Sequence, residues 1–248
     1  MIYLKNTQQL LVMKKAGSIV ARCLEMLERH IKPGVSTAEL NKMAHEFILS
    51  HNATPSFLNY KGFPASINTS INEEIVHGIP DSRRLMSGDI IGIDIGVFFS
   101  GYHGDAARTF GVGTISEEDE RLLEVTKKSF FEGIKYARKG NRLNQICKTI
   151  GTYIEDNGFG VIEEFVGHGI GRDIHEMPNI PNHDMGKKGP KIDKGMTFAI
   201  EPMVSVGSPE SYIVEDGWTA ITLDGKNSAH YENTIAITDG EPEILTLY

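Results

Sequence analysis

Apolar residues recur at helical spacing over residues 7 to 30, at Met13, Ala16, Val20, Cys23, Leu24 and Leu27, and predict an amphipathic helix. Pro33-Gly34 ends that segment. Ser36-Thr37-Ala38-Glu39 has the form of a capping box. It opens a second helix with Leu40, Met43, Ala44, Phe47 and Ile48 on one face. Residues 54 to 65 read as loop, with Pro, Gly and three aromatics. Strand patterns follow near Ser66 to Ile71 and up to Gly78. Residues 88 to 113, GDIIGIDIGVFFSGYHGDAARTFGVG, then hold two β-type runs around a Ser100-Gly101 turn signal. A two-residue turn there sets Phe99 opposite Tyr102 and Asp94 opposite Ala107. Asp94 and Asp105 then lie diagonally on one face, with Cβ atoms at most about 7–8 Å apart. A one-residue slip would put them on opposite faces. Either this face is polar and solvated, or two carboxylates in an apolar hairpin need cations. The stretch alone favours neither.

The second half repeats the order of the first. Ser116 followed by Glu117, Glu118 and Asp119 predicts a capped helix running to about Arg138, broken at Gly140. Leu143, Ile146, Cys147, Ile150 and Ile154 mark a further helix that stops at Asn157-Gly158. A strand is expected near 161 to 166, then the glycine-rich segment GHGIGRDIHEMP, then loop from 178 to 195. Strand patterns return at 196 to 206, 212 to 223 and 229 to 238, with a turn at Asp224-Gly225. Helix, helix, strands thus occurs twice. An offset of 107 residues lays SGDIIGIDIG on KGMTFAIEPM and Asp94 on Glu201. His77-Gly78-Ile79 recurs as His168-Gly169-Ile170. The pattern predicts one α/β domain over 1–248, duplicated into halves of about 1–113 and 114–248. Each half presents a carboxylate across a pseudo-twofold axis.

Composition adds limits. With 248 residues, 40% hydrophobic and 23% charged, the chain can bury a core. A net charge of −8 argues against general attraction to nucleic acid or anionic membrane. Cys23 and Cys147 fall in helical patterns and form no disulfide framework, which suits a reducing compartment. The opening MIYLKNTQQLLVMKKAG lacks a signal-peptide core, and no apolar run nears the roughly 20 residues that span a bilayer. A cytoplasmic monomer without membrane or nucleic-acid partner is expected.

The candidate chemistry gathers around Asp94 and Asp105. His168 sits between two glycines, Glu201 follows the run Phe198-Ala199-Ile200, and Glu232 precedes Asn233 to Ile237. Singly, each reads as an ordinary polar residue at a strand end. Together, four carboxylates and one imidazole suit two divalent cations of the borderline-hard kind, and their charges balance. Metals roughly 3.5–4 Å apart suit hydrolysis, because they lower the pKa of a shared water and polarise a carbonyl. Hydrolysis also needs a proton shuttle and a donor to the oxyanion. Glu201 suits the first role; His77 and His175 are free for the second. His103, beside Gly104 and Asp105, reads as structural.

At this point several separated segments, in order, match a known family. They are SINEEIVHGIPD (70 to 81), IDIGVFFSGYHGDAART (93 to 109), GHGIGRDIHEMP (167 to 178), AIEPM (199 to 203), DGWTAIT (216 to 222) and HYENTIAIT (230 to 238). Over essentially its whole length the chain resembles type I methionine aminopeptidases of the short bacterial form. The resemblance implies a pita-bread fold, with two pseudo-symmetric halves and a central antiparallel β-sheet covered by two helix pairs. It implies Asp94, Asp105, His168, Glu201 and Glu232 as metal ligands, with Asp105 and Glu232 bridging two ions of Co²⁺, Mn²⁺, Fe²⁺ or Zn²⁺. It implies attack by a bridging hydroxide, with His77 and His175 touching the substrate near the scissile peptide. The substrates would be nascent polypeptide N-termini whose initiator Met precedes a small residue. Tyr60, Phe63 and Trp218 would line the Met pocket, where a thioether favours aromatic contacts.

Some positions depart from the family pattern. Related enzymes often carry Cys at the positions of Phe57 and Asn68, and an aromatic where this chain has Ile174. Lys187, Lys188, Lys191 and Lys194 form a basic cluster for transient ribosome contact, or else a solvated loop. X-Pro peptidases and creatinases share the fold but usually carry a large N-terminal domain, for which a first helix starting within ten residues leaves no room. A metal-free binding homologue would have lost ligands, and all five are present.

Overall fold

Asn6 starts the first helix, α1 (Thr7–Glu28): its side chain accepts from the Gln9 amide, and Gln9 accepts from the Asn6 amide. The structure, a computed structural model, describes residues 1–247. Helix α2 (Thr37–Ser50) opens on the capping box legible in the sequence, with Ser36 and Glu39 exchanging bonds. Helix α3 (Glu117–Ile134) is capped by Ser116 and carries four acids in its first turn. It ends short of the expected Arg138. The chain tightens there into bonds from Tyr136 to Gly133 and from Ala137 to Ile134, which buries Ala137. Helix α4 (Leu143–Asp156) stops at Asn157. Gly158 follows at φ +80°, where a side chain would be strained.

The hairpin has the expected register. Strands Ile90–Phe99 and Tyr102–Gly111 pair with Phe99 opposite Tyr102, Asp94 opposite Ala107 and Gly96 opposite Asp105. Ser100 and Gly101 both take positive φ, 49° and 89°, as a tight hairpin turn requires. Asn68–Ile71 and Thr54–Pro55 complete a four-stranded sheet with the hairpin. In the second half, Thr197–Ile200 pairs with Asn233–Ala236 on one side and Gly167–Gly169 on the other, inside a five-stranded sheet. Two three-stranded sheets flank these, and every pairing is antiparallel. Among the described residues the antiparallel surface is thus four hydrogen-bonded pieces. Backbone and side-chain bonds join the two central ones: Glu232 N donates to Ala107 O at 2.9 Å. Thr234 Oγ1 accepts from Asp105 N at 3.0 Å and donates to Asp105 O at 2.8 Å.

Several strands differ from expectation. Of the run 161 to 166, only Gly160–Val161 pairs; the chain then leaves the sheet to form part of a cavity wall. The expected loop from 178 contains the end of a strand, Glu176–Ile180. Three long runs are each split in two. The run at 196 to 206 breaks at Glu201-Pro202, because proline has no N–H to give a ladder. The run at 229 to 238 breaks at Tyr231-Glu232, whose amides turn aside to Pro202 O and Ala107 O. The run at 212 to 223 breaks at a turn in which Asp216 accepts the amides of Trp218 and Thr219.

Each helix pair covers its own core. Val20, Leu24, Leu40 and Ile48 pack on Ile91, Ile93 and Ile95 of the hairpin. Leu122, Phe130, Ile146 and Ile150 pack on Phe198 and Ile235. Helix α1 crosses the hairpin where neither has a side chain: a Cβ at Gly104 would lie 2.8 Å from Gly17 N. Gly104→Ala should therefore push α1 off the strand that carries Asp105. A loss of about 1–3 kcal/mol is expected for such overpacking. Urea unfolding measures it, and unchanged stability would show that helix and strand can separate freely.

Candidate metal centre

Asp94, Asp105, His168, Glu201 and Glu232 line one cavity of about 280 Å³, together with His77, His175, Tyr60, Phe63 and Trp218. A larger groove, of about 660 Å³, lies between α1 and α3 and takes in none of these ten residues. It is a surface furrow that lacks the gathered set of candidate ligands.

The elements explain the placement. Asp94 and Asp105 project from one face of the hairpin. Glu201 and Glu232 stand one step beyond the pair Ile200–Asn233, so the same register that aligns the strands brings them together. His168 lies opposite Ala199 on the next strand. Gly169 admits a close neighbour there, since a Cβ would meet Met177 O at 2.2 Å. Ligand atoms of Asp105, His168 and Glu232 lie within 4.8 Å of one another, and all three residues are buried.

Burial sets the electrostatics. It pushes Asp94 up to about 7 and Glu201 up to about 8. Burial first and neighbouring carboxylates second hold Asp105 and Glu232 well above the usual carboxylate range. Burial also pulls His168 down to about 3 and His230 and His77 to about 4. Imidazoles that stay neutral keep a lone pair for a cation. His168 Nδ1 bonds Gly169 O at 2.9 Å, so Nδ1 carries the hydrogen and the Nε2 lone pair is free. That Nε2 stands 3.5 Å from Glu201 Oε1.

Asp94 Oδ1, Asp105 Oδ1 and Glu232 Oε1 are buried without a hydrogen-bond partner. Unpartnered buried carboxylate oxygens are costly, and a cation relieves that cost. The set of oxygen donors plus one imidazole therefore fits divalent metal.

The rest of the cavity wall is aromatic. Phe63 meets the Trp218 ring edge-on at 5.2 Å, with Phe57 and Ile174 buried in the same cluster. His175 is exposed; its ring stacks on Tyr60 at 5.3 Å, and its Nδ1 lies 2.9 Å from the Tyr60 hydroxyl. His77 stands edge-on to Phe165 at 5.6 Å. Asn68 touches the acids, since its Nδ2 donates to Asp94 Oδ2 at 3.1 Å. His103 is not at the cavity wall; its Nδ1 bonds Ser56 Oγ at 2.8 Å.

Sequence reading passed over three residues here. His230 Nε2 is buried, unpartnered and 3.5 Å from Glu201 Oε2. Arg108 donates to Ala107 O at 2.8 Å, to Asn233 Oδ1 at 2.7 Å and to Glu232 O, and lies 4.3 Å over the Tyr231 ring. Asn182 Nδ2 holds Glu201 O at 3.0 Å. Only Arg108 left a signal, as a charge inside an apolar strand run.

Residues 12–239 match the model of metallopeptidase family M24. A methionine aminopeptidase of Clostridium perfringens is 53% identical over 247 residues, covering 100% of this chain and 99% of that protein. Methionine aminopeptidase 1 of Bacillus subtilis is 51% identical, covering 99% of each chain. The crystal structure of methionine aminopeptidase from Rickettsia prowazekii superposes with a TM-score of 0.98 at 40% identity, covering 100% of both chains. The chain belongs to metallopeptidase family M24, and its full-length likeness to methionine aminopeptidases makes it a hydrolase of that family.

Proposed function

We propose that this chain removes the initiator methionine from nascent polypeptide N-termini when the second residue is small. One observation carries the reading: a cluster of buried, unpartnered carboxylate oxygens stands at the wall of an aromatic pocket. Asp94, Asp105, His168, Glu201 and Glu232 would hold two divalent ions, of Co²⁺, Mn²⁺, Fe²⁺ or Zn²⁺, with Asp105 and Glu232 shared between them. Such ions supply Lewis acidity, polarising a carbonyl and lowering the pKa of water.

The chain's own residues do the rest. Tyr60, Phe63 and Trp218 surround the methionine side chain, with Phe57 behind them. The Tyr60 hydroxyl donates to His175 Nδ1, which leaves the hydrogen on Nε2 to be donated to the scissile carbonyl. His77, neutral by burial, contacts the same peptide from the Phe165 side. Glu201 takes the proton of the attacking water on its carboxylate and returns it to the leaving amine nitrogen.

The reading extends to the whole chain as one catalytic domain with halves of about 1–113 and 114–248, acting as a cytoplasmic monomer. Among the described residues no helix is long and apolar enough to cross a membrane. Lys187, Lys188 and Lys191 are exposed and would be available for transient ribosome contact, while Lys194 pairs with Asp239.

Peptides Met-Ala, Met-Lys and Ala-Pro test the substrate. Turnover of Met-Ala alone is expected, and preference for Ala-Pro would replace this reading with an X-Pro peptidase. Glu201→Ala should lower kcat about 10²–10⁴-fold with an unchanged circular dichroism spectrum. Wild-type turnover in that variant would remove Glu201 from the proton path. Elemental analysis of the active protein should find two divalent ions per chain.

The metal-free protein should also lose stability as pH rises from about 7 to about 8. Above about 7 histidines of the unfolded chain, with an ordinary value near 6.5, are mostly neutral, while the folded carboxyls of Asp94 and Glu201, at about 7 and about 8, still hold protons that unfolded ones have lost. The folded state binds more protons there, so raising the pH favours unfolding. Added Mn²⁺ or Co²⁺ should abolish the slope, because cations replace those protons. Thermal melts across this range measure both effects, and a metal-free melting temperature that rises with pH would contradict the buried-carboxylate account.

A further inference from the structure

Lys5 and Glu176 form an ion pair that the reaction does not use. Lys5 Nζ stands 2.6 Å from Glu176 Oε2, and each side chain is only 5% exposed. Taking two charges out of water is costly, so such a pair is poor evidence of stabilisation by itself. The second carboxylate oxygen gives it another use. Glu176 Oε1 accepts the backbone amide of Arg172 at 2.8 Å and that of Asp173 at 3.4 Å. The side chain thus closes the turn that leads to His175 back on itself.

The partner is fixed as firmly. Lys5 N donates to Gly195 O at 2.7 Å, and Lys5 Nζ also donates to Tyr3 O at 3.3 Å. Two glycines let the N-terminal segment lie flat on the second half. A Cβ at Gly171 would be 2.4 Å from Lys5 Cε and 2.6 Å from Glu176 Oε1, and one at Gly195 would be 2.6 Å from Lys5 O. From the other side, His103 N donates to Gly171 O at 2.8 Å.

We propose that Glu176, oriented by Lys5, is a positioning residue for His175, and that Tyr3–Asn6 is a strap fixing that wall of the substrate cleft. Lys5 sets the direction of the carboxylate. Glu176 gathers two amides of the turn. The turn holds His175 within reach of the Tyr60 hydroxyl and of the substrate. The group that His175 faces rests on the peptidase reading above; the geometry of the turn does not.

Two double variants separate positioning from bulk stability. Lys5→Met/Glu176→Leu replaces the pair with apolar groups, which should leave the melting temperature near that of wild type. It also removes the acceptor for the Arg172 and Asp173 amides. Lys5→Met/Glu176→Gln keeps that acceptor without the charge. Metal content should be full in both, since no proposed ligand changes. The Leu variant should show kcat about 10- to 100-fold lower with KM unchanged, as expected for a misplaced catalytic group. The Gln variant should recover part of that kcat, since the acceptor returns while its orientation by Lys5 does not. Amide hydrogen exchange should find Arg172 protected in the wild type and the Gln variant and unprotected in the Leu variant. Equal kcat in the two doubles at matched melting temperature and metal content would overturn the proposal, and so would an unprotected Arg172 amide in the wild type. A wild type inactive on Met peptides would defeat the peptidase reading alone, because the exchange measurement still decides the turn.

Discussion

The bonds between Ala107 and Glu232 and between Asp105 and Thr234 hold the two halves in one register. The site depends on that seam. When ionised, the four carboxylates repel one another, and only protons or a cation relieve that. Backbone geometry keeps them together. The Glu232 amide is spent on Ala107 O, in the first half, rather than on its own sheet. Arg108 strengthens the same place from behind, donating to the carbonyls of both Ala107 and Glu232. Its guanidinium is one of the few positive charges facing Glu232, and it counters in part the burial that raises that carboxyl.

The two halves deliver their acids differently. Asp94 and Asp105 project from inside a long, fully paired hairpin, with neighbours fixed along both strands. Glu201 and Glu232 stand at breaks, where Pro202 removes a donor and Tyr231 N turns to Pro202 O. A break frees a side chain from strict alternation, so both acids can face the same point as the hairpin pair. Asn182 compensates by holding Glu201 O, which would otherwise lose its ladder partner. The two halves therefore share an order of elements while their acids occupy unlike backbone settings.

That difference governs what was legible in the sequence. The hairpin register followed from Ser100-Gly101 and strict alternation, which are local signals. Helix starts at Ser36 and Ser116 were equally local. The long runs at 196 to 206 and 229 to 238 looked continuous because apolar residues sit on both sides of each break. Pro202 was a local signal for the first break, but only the seam, a contact over more than a hundred residues of chain, reveals the second. Asp94, Asp105, His168, Glu201 and Glu232 were legible as a set of charges that an apolar core would not keep without reason. His230 and Asn182 were not. Each acts through one long-range partner, and neither type nor spacing marks it out. The acceptor for His168 was invisible for the same reason, being the carbonyl of Gly169.

Rigid acids and a cleft wall place opposite demands on the backbone. Asp94 and Asp105 sit within a dense ladder, and Glu201 and Glu232 stand one residue beyond another. His175, which the proposed function sets against the substrate, is exposed and lies on a turn with few ladder bonds of its own. A turn of that kind opens easily unless something outside it supplies the missing contacts. Here the outside contact is drawn from the far end of the chain: the segment before α1 crosses to the second half and meets Gly195 and Glu176. Gly195 leads into the strand that ends at Glu201, and Glu176 follows His175. One strap thus touches both the approach to Glu201 and the approach to His175. The seam fixes the charges relative to one another, and the strap fixes the histidine relative to the charges.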